Sequence, residues 1–270
     1  RLGGERGEEP RSARLEGQPL SPGAALGRIE TLPTFEGMAA LERARLGDRA
    51  DSTAAADVGE RKARVRTALA DVVKDLARTR KRLGSSLGPA ELGLLESLAL
   101  LEDDGRLIES IDEECARQNV ALALRKVARD YAQAAVRAGR GGANASVLVG
   151  RSEEIEDLCL LVAARAVGER APTGDAVLVV PERLTAVVAL LAAAQKSAAV
   201  AICAAVSDGA LGGALMRAAQ IPAVGDVGGL YSWARAGDVA LVDGAEGTVR
   251  VSPSPAQIAR FRQRERDERR

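Results

Sequence analysis

The chain contains no histidine and very few aromatic residues. None of its 270 residues is histidine, and phenylalanine, tryptophan and tyrosine together make up 2% of the sequence. Without imidazole the common zinc ligand sets cannot be assembled, and Cys115, Cys159 and Cys203 form no C-x-x-C pair. We therefore expect no metal and no cofactor, and we expect reduced, buried thiols of the kind found in cytosolic proteins.

The sequence also lacks an excess of charge and a long apolar run. Lys and Arg number 38, as do Asp and Glu, so no global field attracts nucleic acid or an anionic membrane. The longest apolar run, residues 186–194, is shorter than the roughly 20 residues that span a bilayer. The N-terminus is charged and lacks the apolar centre of a signal peptide. We expect a soluble cytoplasmic protein whose partners include neither nucleic acid nor a membrane.

Hydrophobic periodicity divides the first half of the sequence into a tail, a strand and a helical region. Residues 1–16 are charged and without periodicity, which predicts a disordered tail. A Ser-Pro-Gly turn then leads into a predicted strand at 24–29. Between residues 65 and 136, four amphipathic segments have apolar residues three and four apart and short connections. This pattern predicts an antiparallel four-helix bundle.

After residue 146, strands and helices alternate, which is typical of an α/β layer. The predicted strands are 176–180, 199–204, 239–242 and 248–251, and the predicted helices are 153–167, 186–194 and 213–219. Because the strand at 24–29 is too short to fold alone, we expect the bundle to be inserted into the α/β domain. The predicted domains are a disordered tail at 1–16, a discontinuous α/β domain at 17–32 and 146–256, a bundle at 33–145, and a charged helical tail or linker at 257–270.

One segment carries a resemblance to a known site. Residues 206–226, VSDGALGGALMRAAQIPAVGD, resemble the phosphohistidine loop of the phosphoenolpyruvate-utilising enzymes, and most closely that of Enzyme I of the bacterial phosphotransferase system. When Arg217 and the Pro-Ala-Val-Gly at 222–225 are placed on the family pattern, the histidine position falls on Leu211. In the family, that histidine carries the phosphoryl group. An alkyl side chain has no lone pair with which to attack phosphorus.

Further segments resemble Enzyme I in the same order and extend the resemblance over about residues 17–262. They are the S-P-G-x-A-x-G at 21–27, the strand and following turn at 176–185, the G-D-x-x-x-x-D-G at 237–244, the run at 248–253 and the acidic Leu-Leu-Glu-Asp at 100–103. The resemblance implies an α/β phosphohistidine-type (swivelling) domain with an inserted antiparallel four-helix bundle. In Enzyme I, that bundle docks the carrier protein HPr.

The departures from the family pattern are concentrated at the residues that carry its chemistry. Asp208 occupies the place of the loop arginine, and a carboxylate there repels phosphate. The loop hydroxyls are replaced at Gly209 and Ala210, and Ser97 stands near the position of a bundle histidine. No phosphoenolpyruvate-binding barrel follows within the 270 residues. The resemblance therefore implies a module that is inactive by the family mechanism.

Two groups of residues remain as candidate sites. Residues of the loop are a possible residual anion site, although the glycines are equally explained by the turn that precedes a helix; they are Ser207, Gly209, Gly212, Gly213 and Arg217. Phosphoryl transfer to Ser207 or Asp208 has little support, because aspartyl phosphorylation needs a metal and a lysine. Acidic residues of the bundle form a possible carrier-docking surface, although they are also typical helix caps; they are Glu96, Glu102, Asp103 and Asp104, together with Ser97.

Two functions of different classes remain open, with a structural relic as a third possibility. The first is an Enzyme I-like module without catalytic activity that binds an HPr-type carrier or another regulatory partner. The alternative is a phosphotransferase subunit that works in trans with a separate chain bearing the barrel and the histidine.

Overall fold

The computed structural model describes residues 12–47, 54–93, 96, 105–139, 145–169, 174–181, 183–206 and 210–268. Several of the predicted site residues lie outside these ranges. They are Ser207, Asp208 and Gly209 of the loop, and Ser97, Glu102, Asp103 and Asp104 of the bundle.

A single eight-stranded sheet organises the fold, with the order β1-β8-β7-β3-β4-β5-β6-β2. Strands β3 to β6 are parallel along that order, whereas β7, β8 and β1 on one side and β2 on the other pair antiparallel. The strands are β1 (Ala13–Glu16), β2 (Gln18–Ser21), β3 (Ala24–Thr31), β4 (Ala176–Val180), β5 (Ala199–Ile202), β6 (Ala223–Gly225), β7 (Val239–Asp243) and β8 (Thr248–Val251).

The N-terminal part of the chain is more ordered than its composition predicts. Residues 13–16, expected to belong to a disordered tail, form β1 and pair in full register with β8. Leu15 of β1 packs against the hydrophobic core on one side of the sheet. The prediction was wrong for these residues because ladder hydrogen bonds and the burial of one leucine outweigh the charged composition around them.

In the described part of the interval between the adjacent parallel strands β3 and β4 lie five α-helices of 13 to 30 residues. They are α1 (Phe35–Gly47), α2 (Ala54–Leu83), α3 (Gly105–Arg117), α4 (Val120–Gly139) and α5 (Ala145–Val167), with a 3-10 turn at Gly84–Ser86 and further helical residues at 89–93. Because β3 and β4 pair directly, the helical region is an insertion between neighbouring strands of one sheet.

The helical layer differs from the predicted bundle in its first and last members. The helix α1 was not predicted, and α2 begins at Ala54 rather than near Val65. The helix α5 was assigned to the α/β domain, but it packs most extensively against α4 and also against α1 and α2. Its apolar residues, such as Ile155 and Val162, belong to the core shared with the bundle, and this explains the correction.

Four further helices of the described residues follow β4, and two cores hold the layers together. The helices are α6 (Ala186–Gln195), α7 (Leu211–Ala219), α8 (Leu230–Trp233) and α9 (Pro255–Glu268). One core joins α2 to α5 with α6, α7 and one side of the sheet, including Leu178 and Val180. The other lies on the opposite side and includes Val177 and Val179. The alternation along β4 follows from the two-residue period of a strand.

No helix in the described part of the chain is long and apolar enough to cross a membrane.

Candidate functional site

The site implied by the resemblance lies where β5 leads into α7. The strand β5 ends at Ile202, and α7 begins at Leu211. The Ala-Val-Gly at Ala223–Gly225, after α7, forms β6, a strand that the sequence did not predict, and β6 pairs with both β5 and β2. Carboxyl ends of parallel strands are where open α/β sheets place their ligands. The candidate loop therefore leaves the sheet at the edge where function is expected.

Leu211 serves as a packing residue in this structure. It occupies the first position of α7, is partly buried, and lies against the core shared by the bundle and the sheet. Ala210, which precedes it, contacts the same core. The Leu211 side chain, which the sequence resemblance places at the family's histidine position, is thus in apolar contact and has no atom that could hold a phosphoryl group.

Gly212 and Gly213 differ in what surrounds them, although both are buried at the start of α7. A Cβ on Gly212 would overlap the backbone carbonyl oxygen of Leu184. A Cβ on Gly213 would meet only the Arg217 guanidinium, at 3.6 Å. Gly212 is therefore required for the close approach between α7 and the segment that precedes α6, which is a structural role.

Arg217 points back along α7 and is held by the sheet. Its Nη1 donates a hydrogen bond of 3.0 Å to the carbonyl oxygen of Leu20 in β2. It also lines a cleft of about 320 Å³ between α7 and the end of α2, together with Ser86, Glu91 and Gln220. Side chains on a helix lean toward its N-terminus, so the guanidinium lies over the turn that contains Gly213. The structure thus places the Arg217 guanidinium near Gly213, one of the predicted glycines, but one of its hydrogen-bond donors, Nη1, is already bonded to β2.

A second helix start lies at the same edge of the sheet, and the sequence did not single it out. Thr185 is the N-cap of α6, and its hydroxyl accepts a 3.2 Å hydrogen bond from the Val188 amide. Glu154 of α5 accepts hydrogen bonds from the Ala186 and Val187 amides, at 2.8 and 2.9 Å. The Leu-Thr that precedes the apolar run at residue 186 was an available capping signal, whereas the contribution of Glu154 comes from a distant part of the chain.

Two more charged residues of α5 reach the same segment. The Thr185 hydroxyl donates a 2.6 Å hydrogen bond to Asp157 Oδ2, and Glu153 forms a 2.9 Å salt bridge with Arg183. Burial raises the pKa of Asp157 to about 7, and it also raises the pKa of Glu154. These carboxylates fix the start of α6, and thereby the Leu184 carbonyl against which Gly212 packs.

The cysteines do not form a reactive site. All three are free; Cys115 and Cys159 are buried as expected, whereas Cys203 is only partly buried at the end of β5. Burial raises the pKa of the Cys115 thiol to about 11 and that of Cys159 to about 12, so both remain protonated at neutral pH. Over the described ranges, no group of three or more Cys, Asp or Glu side chains is arranged to hold a metal ion.

The predicted docking surface is described only in part. Glu96 is helical and exposed. The neighbouring helix α3 adds an exposed apolar residue, Ile108, beside the exposed carboxylates of Glu109 and Glu113. Leu107, Ile111 and Cys115 of the same helix are buried in the core. Ile108 therefore lies at the border between the buried side of α3 and the exposed side that carries Glu109 and Glu113.

Comparisons with known proteins agree with the geometry. Residues 16–141 match the family model described as PEP-utilising enzyme, N-terminal. The fold is similar to a structure described as the N-terminal domain of Enzyme 1 - Nitrogen, with a TM-score of 0.63 and 19% identity over 92% of this chain and 98% of that one. It is also similar to an NMR solution structure of Enzyme I (nEIt), with a TM-score of 0.53 and 18% identity over 95% of this chain and 100% of that one. A comparison with curated protein sequences gave no match.

The resemblance to the N-terminal half of Enzyme I is thereby confirmed. The mixed α/β fold with its helical insertion is that of Enzyme I N-terminal domains.

Proposed function

We propose that this Enzyme I-like module acts by binding an HPr-type phosphocarrier, or a regulatory protein of similar surface, and does not itself carry a phosphoryl group. In this proposal the α/β layer corresponds to the phosphohistidine-type domain, built from residues 17–32 and the strands after residue 174. The helices between β3 and β4 correspond to the carrier-binding bundle, with α5 counted among them.

The observation that carries the proposal is the environment of Leu211. Its side chain packs against the shared core at the first residue of α7, at the position where the family has its histidine. Phosphoryl acceptance requires a nucleophilic lone pair that is exposed to the donor, and this position offers neither. Binding makes no such demand, because docking depends on apolar contact and complementary charge.

The described part of the bundle retains features suited to docking. Ile108 exposes 36% of its surface on α3, and the same helix carries exposed carboxylates at Glu109 and Glu113, the latter 4.0 Å from Arg117. An exposed apolar residue on a helix that also carries exposed carboxylates suits a basic partner, since the charges steer association and the apolar contact supplies affinity. Glu96 extends the acidic character to the preceding helical segment.

The test is an NMR titration of an isotopically labelled HPr-type carrier with this protein. We expect shifts confined to one face of the carrier, around its active-site histidine. The Ile108→Ser variant removes the apolar contact and should weaken binding by about tenfold, the range of one interface residue. The matched control is Val136→Ser, which alters another exposed aliphatic residue, on α4.

Two outcomes would contradict the proposal. Absence of shifts at millimolar excess would mean that the bundle has lost carrier docking. Equal weakening by Ile108→Ser and Val136→Ser would mean that α3 is not the docking surface. In a parallel experiment, incubation with phosphorylated carrier should leave the intact mass of the protein unchanged; gain of a phosphoryl group would favour the in-trans phosphotransferase instead.

A further inference from the structure

A groove lined by arginines lies between α9 and the β7–β8 end of the sheet. Arg250 of β8 enters it from one side, and Arg260 and Arg264 of α9 enter from the other. Its volume of about 470 Å³ falls within the several hundred Å³ that are typical of small-molecule sites. The residues discussed for carrier binding take no part in it.

Like charges are placed next to each other around this groove at some cost in stability. Arg260 and Arg264 are four residues apart on one helix, where like charges repel. Arg250 stands directly opposite Arg14 of β1 in the antiparallel register, and opposed like charges destabilise a sheet. A chain with equal numbers of acidic and basic residues therefore places three guanidinium groups around one groove, and a fourth, that of Arg14, in register with Arg250.

The carboxylates nearby neutralise this charge only in part. Asp243 lines the groove, but its Oδ1 accepts hydrogen bonds from the Ala245 and Glu246 amides in the β7–β8 turn. Glu265 also lines the groove, and Arg14 pairs with Glu16 at 3.9 Å. Among the residues that the structure describes, Arg250, Arg260 and Arg264 form no salt bridge. Three guanidinium groups therefore converge on a space that holds fewer carboxylates than cations.

The groove also offers an apolar surface. Leu241 projects from β7 on the same face of the sheet as Arg250, its cross-strand partner, and Phe261 lies between the two arginines of α9 in sequence. Phe261 is one of only two phenylalanines in the chain. An organic group bound beside the guanidinium groups would thus contact an aliphatic and an aromatic side chain.

We propose that this groove binds a small organic phosphate. A phosphate monoester presents three acceptor oxygens and up to two negative charges, and guanidinium groups recognise this geometry through paired charge-assisted hydrogen bonds. Arg250, Arg260 and Arg264 bind the phosphate from both walls of the groove, while Leu241 and Phe261 contact the organic portion. Binding relieves the repulsion between the clustered arginines.

The experiment is a calorimetric titration of the full chain with phenyl phosphate and, separately, with inorganic phosphate at low ionic strength. We expect saturable one-to-one binding, tighter for phenyl phosphate. Arg264→Gln and Arg250→Gln should each raise the Kd for phenyl phosphate by about five- to tenfold, as expected for loss of one charge-assisted contact. The matched control is Arg262→Gln, which removes the same charge from the exposed side of the same helix and should leave the Kd unchanged.

Three outcomes would overturn the proposal. The first is absence of saturable binding of phenyl phosphate up to millimolar concentration. The second is an equal effect of Arg262→Gln and Arg264→Gln, which would indicate a general response to net charge. The third is equal affinity for inorganic and phenyl phosphate, which would show that Leu241 and Phe261 do not contact the ligand. Circular dichroism of each variant establishes that it is folded before its affinity is compared.

Discussion

The starts of α6 and α7 lie at the same edge of the sheet but are built in opposite ways. The helix α6 follows β4 and has a threonine cap, with two further amides bonded by a carboxylate from α5. The helix α7 follows the neighbouring parallel strand β5 and begins at Leu211, and its N-cap residue, Ala210, provides no side-chain hydrogen bond. Side chains accept hydrogen bonds from the first amides of α6. The start of α7 is instead held by apolar contacts of Ala210 and Leu211 and by the close approach of Gly212 to Leu184.

This difference lies in how the first amides of each helix are satisfied. Backbone amides at a helix start must be satisfied by caps, water or a ligand. At α6 the protein satisfies them internally with Thr185 and Glu154. At α7 the residues Ala210 and Leu211 have no side-chain atom that could accept a hydrogen bond from these amides.

The pH dependence of stability should change most when the α6 start is altered. Burial raises the pKa of Asp157 from 3.8 to about 7, so between these values the folded protein holds a proton that the unfolded chain has lost. Raising the pH through this window therefore lowers the free energy of unfolding, by on the order of 4 kcal/mol in total. Asp157→Asn keeps an acceptor for Thr185 and should remove the part of this slope that Asp157 contributes, leaving the part that follows from the raised pKa of Glu154.

Urea unfolding of wild type and Asp157→Asn at several values between pH 4.5 and 8 measures this effect. The control is Glu246→Gln, an exposed carboxamide substitution in the β7–β8 turn that should preserve the wild-type slope. If the free energy of unfolding changed with pH equally in wild type and in Asp157→Asn, Asp157 would titrate as an ordinary surface carboxylate.

The contact between the two helix starts should be the next most sensitive point. Gly212→Ala places a methyl group into the Leu184 carbonyl, and since both groups belong to the main chain, relief requires α7 to move. We expect a loss of about 3 kcal/mol in the free energy of unfolding. Gly213→Ala meets only a flexible guanidinium and should be neutral or stabilising by about 0.5–1 kcal/mol, because alanine favours the helix. Denaturant unfolding separates the two; a similar loss in both would contradict the assigned contact.

Removing the carboxylate that satisfies α6 should have a moderate effect. Glu154→Ala leaves the Ala186 and Val187 amides without their partner in a largely buried setting and should cost about 2 kcal/mol. Glu153→Ala breaks only the more exposed salt bridge to Arg183 and should cost less than about 1 kcal/mol. Thermal or urea unfolding gives both values. If the two variants lost equal stability, Glu154 would not be a cap.

The smallest expected effect comes from giving α7 the cap that it lacks. Ala210 has φ −58° and ψ 134°, a backbone conformation in which a serine hydroxyl can accept from the first turn. Ala210→Ser should therefore stabilise the protein by about 1 kcal/mol. Ala218→Ser, near the end of the same helix, should instead cost a few tenths of a kcal/mol. A loss of stability in both variants would show that the start of α7 is closed to a polar side chain.

Much of the architecture could be predicted from local pattern. The strands at 176–180 and 248–251 are confirmed, and so is the predicted start of the helix at residue 186, because each is a compact apolar run with clear turn signals at its ends. The strand at 223–225 was missed because three residues carry no period, and it exists through pairing with β5 and β2. Residues 13–16 were assigned to a disordered tail because their pairing partner lies more than two hundred residues away.

For the candidate site, too, the sequence predicted some features and the structure supplied the others. That Leu211 stands in place of the histidine stays a prediction from sequence spacing, in which Arg217 and Pro222 set the register. The packing of Leu211 against the bundle, and the bond from Arg217 to Leu20, required the fold. Glu154 and Asp157 were not singled out at all, because their partners at 185–187 are about thirty residues distant.

Composition shows that these 270 residues offer no histidine for catalysis, and local periodicity predicts the order of strand, helical insertion and α/β layer. Both inferences rest on neighbouring residues and need no knowledge of distant ones. The position of α5, the internal satisfaction of the α6 start and the groove lined by three arginines of β8 and α9 emerge only from the fold. Those properties arise from contacts between residues far apart in the chain, and a linear pattern does not record them.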